Sequence, residues 1–158
     1  MNKPISGIQL ACQQDVPELV SLLNACAIHM HQNGMSHWLE VYDHAAVAEN
    51  IEQKSVFILR ENTHLLGCVA LGTQPAAYYA ECWPEAPDAD FYLTQLAVHP
   101  EYQQSGYGKL LLQHCLSLIG QRTLLLDAVA HYPELLNFYR KSGFRNIAQG
   151  IGLGDQRL

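Results

Sequence analysis

Apolar and polar positions along this chain follow two rhythms, and the changes between them mark its elements. In "DVPELVSLLNACAIHMHQNG" the residues Val16, Leu19, Val20, Leu23, Cys26, Ala27 and Met30 recur at the spacing of one helix face. Asp15 stands at the expected N-cap, Glu18 three residues on as its capping partner, and Pro17 is tolerated in the first turn. Gly34 can end this helix. The pattern then changes: "SVFILRENTHLLGCVALG" has β-branched and aromatic residues broken by the polar stretch Glu61 to His64, and predicts a hairpin.

The remaining segments complete the order. "GIQLACQ" reads as a short first strand, and "MSHWLEVYDHAAVAENIEQK" as a loop and a short helix from about Asp43. "TQPAAYYAECWPEAPDAD" is an irregular connection, rich in proline and alanine. "FYLTQLAVHP" is a strand stopped at Pro100, followed by the helix "GKLLLQHCLSLIG". "RTLLLDAVA" is nearly continuous in apolar residues and predicts a strand buried on both faces. "PELLNFYRKSGF" is a helix with proline in its first turn and Gly143 past its end, and "RNIAQGIGLGDQRL" can hold one or two short strands. The order β-α-α-β-β-β-α-β-α-β predicts a mixed α/β layer fold, read as one domain over residues 1–158.

Composition narrows the function. Hydrophobic residues at 49% and charged residues at 15% mark a globular chain of 158 residues. A net charge of −6 argues against a nucleic-acid partner, which needs a basic stripe. The N-terminus has no apolar signal region and no run is long enough to span a membrane, so the expectation is a cytoplasmic protein with no membrane partner. The 5 cysteines are scattered and read as reduced thiols; the 8 histidines show no ligand spacing, so no metal is expected.

The most informative stretch is "YQQSGYGKLLLQHCL". It is no Walker loop, because Leu110 stands where the metal-binding hydroxyl belongs, and no dinucleotide fingerprint, because Leu111 replaces the third glycine. Taken alone, Gly106 and Gly108 fit two readings. One is a plain strand-to-helix turn; the other is an anion site, where unpaired amides and the helix dipole face a ligand.

With its neighbours, the loop resembles a known family. "QQSGYG" matches Q/R-x-x-G-x-G/A, it follows the strand "LAVHPEYQ", and "LLNFYRKSGF" lies downstream. Together these resemble the GNAT superfamily of N-acetyltransferases. The resemblance implies a mixed, mostly antiparallel central sheet flanked by helices, with splayed fourth and fifth strands. It also implies acetyl-CoA as the acyl donor, an amine as acceptor, and a monomer or homodimer. Carried over, Leu96, Ala97 and Val98 would pair with the pantetheine arm of coenzyme A. Gln103, Gln104, Ser105, Gly106, Tyr107, Gly108 and Lys109 would wrap its pyrophosphate; Lys109 adds charge there or is an ordinary solvated lysine. Tyr139 matches the family's tyrosine near the thioester sulfur, where it also contacts the cofactor; otherwise its ring packs in the core.

A lysine-like amine is neutral to only about 10^-3.4 at pH 7, a cost of about 4.6 kcal/mol, so something must take its proton. The family's frequent fourth-strand glutamate is replaced by Thr94 or Gln95, and its frequent asparagine by Tyr132. Candidate bases are Glu81, Asp90, Asp127 and His131, with a buried structural carboxylate as the other reading of Asp127. Trp38, Tyr42, Tyr78, Tyr79, Trp83 and Tyr92 are candidates for the acceptor wall, or for core packing. A non-catalytic acyl-CoA-binding or regulatory module on the same fold is the alternative.

Overall fold

The computed structural model describes residues 6–36, 38–128 and 133–147. Five strands form one sheet in sequence order: β1 (Ser6–Leu10), β2 (Ser55–Glu61), β3 (His64–Gly72), β4 (Phe91–Val98) and β5 (Leu124–Leu125). The first four pair antiparallel and β4 pairs parallel with β5, so the sheet is mixed and mostly antiparallel, as expected. The helices are α1 (Val16–Gln32), α2 (His44–Gln53), α3 (Tyr79–Cys82), α4 (Tyr107–Ile119) and α5 (Pro133–Lys141).

Period-two alternation divides the core between the two sheet faces. Val56 and Ile58 of β2 join α1 residues Leu19, Leu23 and Cys26 on one face. Phe57 and Leu59 join α4 residues Leu111, Leu112 and Cys115 on the other. Both faces are covered, which is why the hairpin sequence is apolar almost throughout.

Local expectations need correction at several places. Asp15 does not cap α1 with its side chain. A 3-10 turn (Gln13–Asp15) precedes the helix, and the Asp15 carboxylate accepts the Cys12 N–H at 2.8 Å. Glu18 accepts from Arg60 of β2 instead of closing a capping box. The fifth strand is only two residues long and leaves the sheet after Leu125; Leu124 within it and Leu126 just past it are half-buried rather than buried on both faces. The irregular connection contains the single turn α3, where Tyr79 and Tyr92 bury against Leu125. Of the expected C-terminal strands, Arg145–Ile147 is not strand, and the rest lies outside the described residues.

The distortion that shapes the site lies in β4. Cys68 pairs with Ala97 and Ala70 with Thr94, so Gln95 and Leu96 both stand opposite Val69. Gln95 has φ 56°, a left-handed conformation that accommodates the extra residue of a β-bulge. Gly67 makes the pairing possible: a Cβ there would lie 2.7 Å from Ala97 O.

Candidate active site

Among the described residues, β4 and β5 pair through Phe91–Leu124 and Tyr92–Leu125. Beyond Tyr92 the two strands part, and β4 runs on to Val98 with a gap on its β5 side among the described residues. Two thiols brace β4 from behind. Cys26 Sγ donates to Val98 O at 3.3 Å and Cys68 Sγ to Gln95 O at 3.4 Å. Burial pushes the Cys26 thiol up to about 12 and raises Cys68 as well, so both remain protonated donors.

The glycine loop begins where β4 ends. His99 caps a 3-10 turn (Pro100–Tyr102) by accepting the Glu101 N–H, and Gln103 Nε2 reaches back to Val98 O at 3.0 Å. Gln104 (φ 64°) and Gly106 (φ 88°) then turn the chain into α4. Gly106 is the N-cap and offers no side-chain acceptor, so the first amides of α4, at Tyr107, Gly108 and Lys109, have no intrahelical partner and no cap. Gln103, Gln104, Ser105, Gly106 and Lys109 are exposed, and Tyr107 and Gly108 are half-buried. A Cβ on Gly108 would meet Phe138 at 3.6 Å and Val98 Cγ2 at 3.7 Å. The end of β4, the first turn of α4 and Phe138 of α5 therefore meet at one place.

Tyr139 is half-buried, its ring edge-on to Phe138 and Phe144 with centroids 5.2 and 5.5 Å away. Burial raises its phenol well above the usual range, and the charge of Asp127 adds to the rise, so the hydroxyl stays protonated near neutral pH. Asp127, two residues past β5, is half-buried, and its Oδ1 accepts the hydroxyls of Tyr78 at 2.5 Å and Tyr79 at 2.8 Å. Its partners are thus phenols, not the backbone or an arginine.

The other candidate bases differ. Glu81 is exposed. Asp90 is exposed and bonded to the Thr123 N–H and hydroxyl, which hold its carboxyl below the ordinary value. His131 and Tyr132 lie outside the described residues. The aromatic candidates separate into two groups. Trp38 and Tyr42 pack edge-to-face at 5.3 Å against the α1 side of the core. Tyr78, Tyr79, Trp83 and Tyr92 form a second cluster around Leu125. Among the described residues, no group of three or more His, Cys, Asp and Glu side chains could hold a metal.

Sequence reasoning missed the bulge at Gln95, the two bracing thiols, and Lys54, whose Nζ lies 3.3 Å from Thr94 Oγ1 and whose pKa burial lowers. Only the adjacent aromatic pair Tyr78–Tyr79 gave a signal, and it carried no hint of Asp127. A cavity of about 1010 Å³ opens beside β5 and α5 and brings together Trp83, Asp127 and Tyr139. It is not lined by Leu96–Val98 or by the glycine loop, so it is distinct from the β4–α4 corner.

A family model described as an acetyltransferase (GNAT) domain matches residues 52–146, more than half of the chain. No curated protein sequence matches significantly. Solved structures do. A GNAT-family acetyltransferase from Streptococcus agalactiae is 15% identical with TM-score 0.77, covering 99% of this chain and 95% of that one. A PaiA N-acetyltransferase from Thermoplasma acidophilum, solved in complex with coenzyme A, is 17% identical with TM-score 0.72, covering 96% and 94%. The ribosomal-protein-S18-alanine N-acetyltransferase from Escherichia coli is 20% identical with TM-score 0.67, covering 90% and 79%. At these identities the likeness concerns the fold.

Proposed function

The chain belongs to the GNAT family of acetyltransferases, and on that premise we propose that it moves an acetyl group from acetyl-CoA to a primary amine by direct attack. One observation carries the reading. β4 parts from β5 after two residues and leads to the uncapped first turn of α4, beside Phe138 of α5, the sequence neighbour of Tyr139. Backbone of β4 beyond Tyr92, unpaired with β5, suits the pantetheine arm, and open amides at a helix start suit a pyrophosphate. Val98 O already receives Cys26 and Gln103, so Leu96 and Ala97 carry more of the strand-like pairing. The Gln103 side chain holds the loop, while the amides of Gly106 to Lys109 face the phosphates.

Acetyl-CoA supplies an activated thioester carbonyl when bound. The neutral amine attacks that carbon; a C–N bond forms and the C–S bond breaks. A main-chain N–H near Ala97 or Val98 steadies the developing oxyanion. Asp127 takes the amine proton, directly or through a water, because it is the candidate carboxylate whose charge reaches Tyr139. Tyr139 gives its proton to the departing thiolate, a role that suits a phenol kept protonated by burial.

A thiol-release assay with acetyl-CoA tests the proposal against n-propylamine, 1,4-diaminobutane and an alanyl tripeptide. Amine-dependent release with matching acetylated product is expected. Tight acetyl-CoA binding without release on any amine would favour a non-catalytic acyl-CoA module.

A further inference from the structure

Tyr78 and Tyr79 converge on a single oxygen. Tyr78 is the N-cap of α3 and Tyr79 its first residue, with ring centroids 5.2 Å apart at 75°. Their hydroxyls end on Asp127 Oδ1, across 49 and 48 positions of sequence. Tyr79 is buried and held edge-on by Trp83 at 5.4 Å and Tyr92 at 6.4 Å. Tyr92 itself pairs with Leu125, two residues before Asp127. The packing that fixes the phenols is therefore built on the point where β4 and β5 still touch. Oδ2 of Asp127 has no hydrogen-bond partner among the described residues, and no described Lys, Arg or His pairs with the carboxylate.

We propose that Tyr78 and Tyr79 are positioning residues that lock Oδ1 of Asp127 and so present Oδ2 to the acceptor amine. The inference rests on Asp127 as the proton acceptor. A carboxylate left alone turns easily about its last torsion, which is broad and two-fold. Two donors on one oxygen remove that freedom and leave the other oxygen directional. Burial, then the Asp127 charge, keeps both phenols protonated, so they remain donors through the neutral range. Tyr42, from the segment before α2, and Tyr139, from α5, are the other described titratable groups that feel the Asp127 charge.

The test uses Tyr78→Phe, Tyr79→Phe and the double variant, each keeping its ring, with the full chain labelled at aspartate carboxyl carbons. Asp127→Asn assigns the Asp127 signal. In the double variant the Asp127 carboxyl-carbon signal should shift, because both donors to Oδ1 are lost. With the fastest amine of the panel, kcat should fall roughly tenfold, a fraction of the ~10²–10⁴ that general acid–base catalysis contributes. KM for acetyl-CoA should stay within about twofold.

An unmoved Asp127 signal in a folded double variant overturns the lock, as does an unmoved kcat. If the double variant fails to fold, the single variants decide by the same readings. If Asp127→Asn keeps the wild-type rate, the assignment of the base fails instead. If no amine is acetylated, the Asp127 signal alone decides whether the tyrosines hold the carboxylate.

Discussion

Gln103 Nε2 donates to Val98 O at 3.0 Å, tying the glycine loop to the strand it leaves. The residue that matches the start of the pyrophosphate motif thus acts on the loop through its side chain. This bond is exposed, so its net worth is about 0.5–1 kcal/mol. Gln103→Ala should weaken acetyl-CoA binding by roughly two- to fivefold without unfolding the protein. Calorimetry on the two proteins measures it; unchanged affinity would remove Gln103 from the loop's support.

Gly108 separates space from charge. A Cβ there makes only ordinary contacts at 3.6 and 3.7 Å, so Gly108→Ala should fold normally and keep affinity within about twofold. Gly108→Glu extends a side chain and a negative charge at the first turn of α4, where the phosphates would sit. Acetyl-CoA binding should then vanish in a protein that still melts cooperatively. Retained affinity would refute the loop as the phosphate site.

Gly67 bears on stability. Its substitution by alanine puts a Cβ 2.7 Å from Ala97 O and 3.0 Å from Leu111 Cδ1, so β3 must move away from the bulged strand. Gly67→Ala should cost about 1–3 kcal/mol, the usual range for overpacking. Urea unfolding reads this as a lower midpoint with an unchanged slope.

Arg60 gives a pH signature. Burial alone would raise the Asp15 carboxyl, but the Cys12 N–H and thiol, with Arg60, hold it below its usual value. The Arg60 hydrogen bond does the same for Glu18. Both folded-state values are depressed, so this stability is present above the unfolded values near 4 and is lost as pH falls through the folded ones. Glu18 is about half exposed, which limits its pair to at most ~1 kcal/mol. Stability of the wild type between pH 5 and pH 3, about the unfolded values, should fall more steeply than that of Arg60→Leu. Parallel curves would mean that the ion pairs contribute nothing.

Local patterns were legible in the sequence and distant juxtapositions were not. The faces of α1 and α4, the β2–β3 hairpin and the Asp43 cap of α2 follow from spacing, because each rests on residues a few positions apart. The run "TLLLDAVA" was read as a long strand because an apolar run does not reveal where a strand leaves its sheet. Asp15 was taken for a helix cap because the preceding 3-10 turn has no periodic signature. The bulge at Gln95 adds a residue that alternation cannot mark, and it takes the left-handed conformation without a glycine to announce it. Tyr78, Tyr79 and Asp127 were each singled out, but their meeting depends on how β4 and β5 pair.

The central claim is that Tyr139, on α5 beside Phe138, serves the departing thiolate rather than the fold. The most direct measurement compares wild type with Tyr139→Phe in steady-state acetylation and in acetyl-CoA calorimetry. The phenylalanine keeps the ring between Phe138 and Phe144 and removes only the hydroxyl. Turnover should fall by about 10²-fold or more while acetyl-CoA affinity stays within about twofold. Equal turnover in the two proteins would contradict the account and return Tyr139 to a packing role.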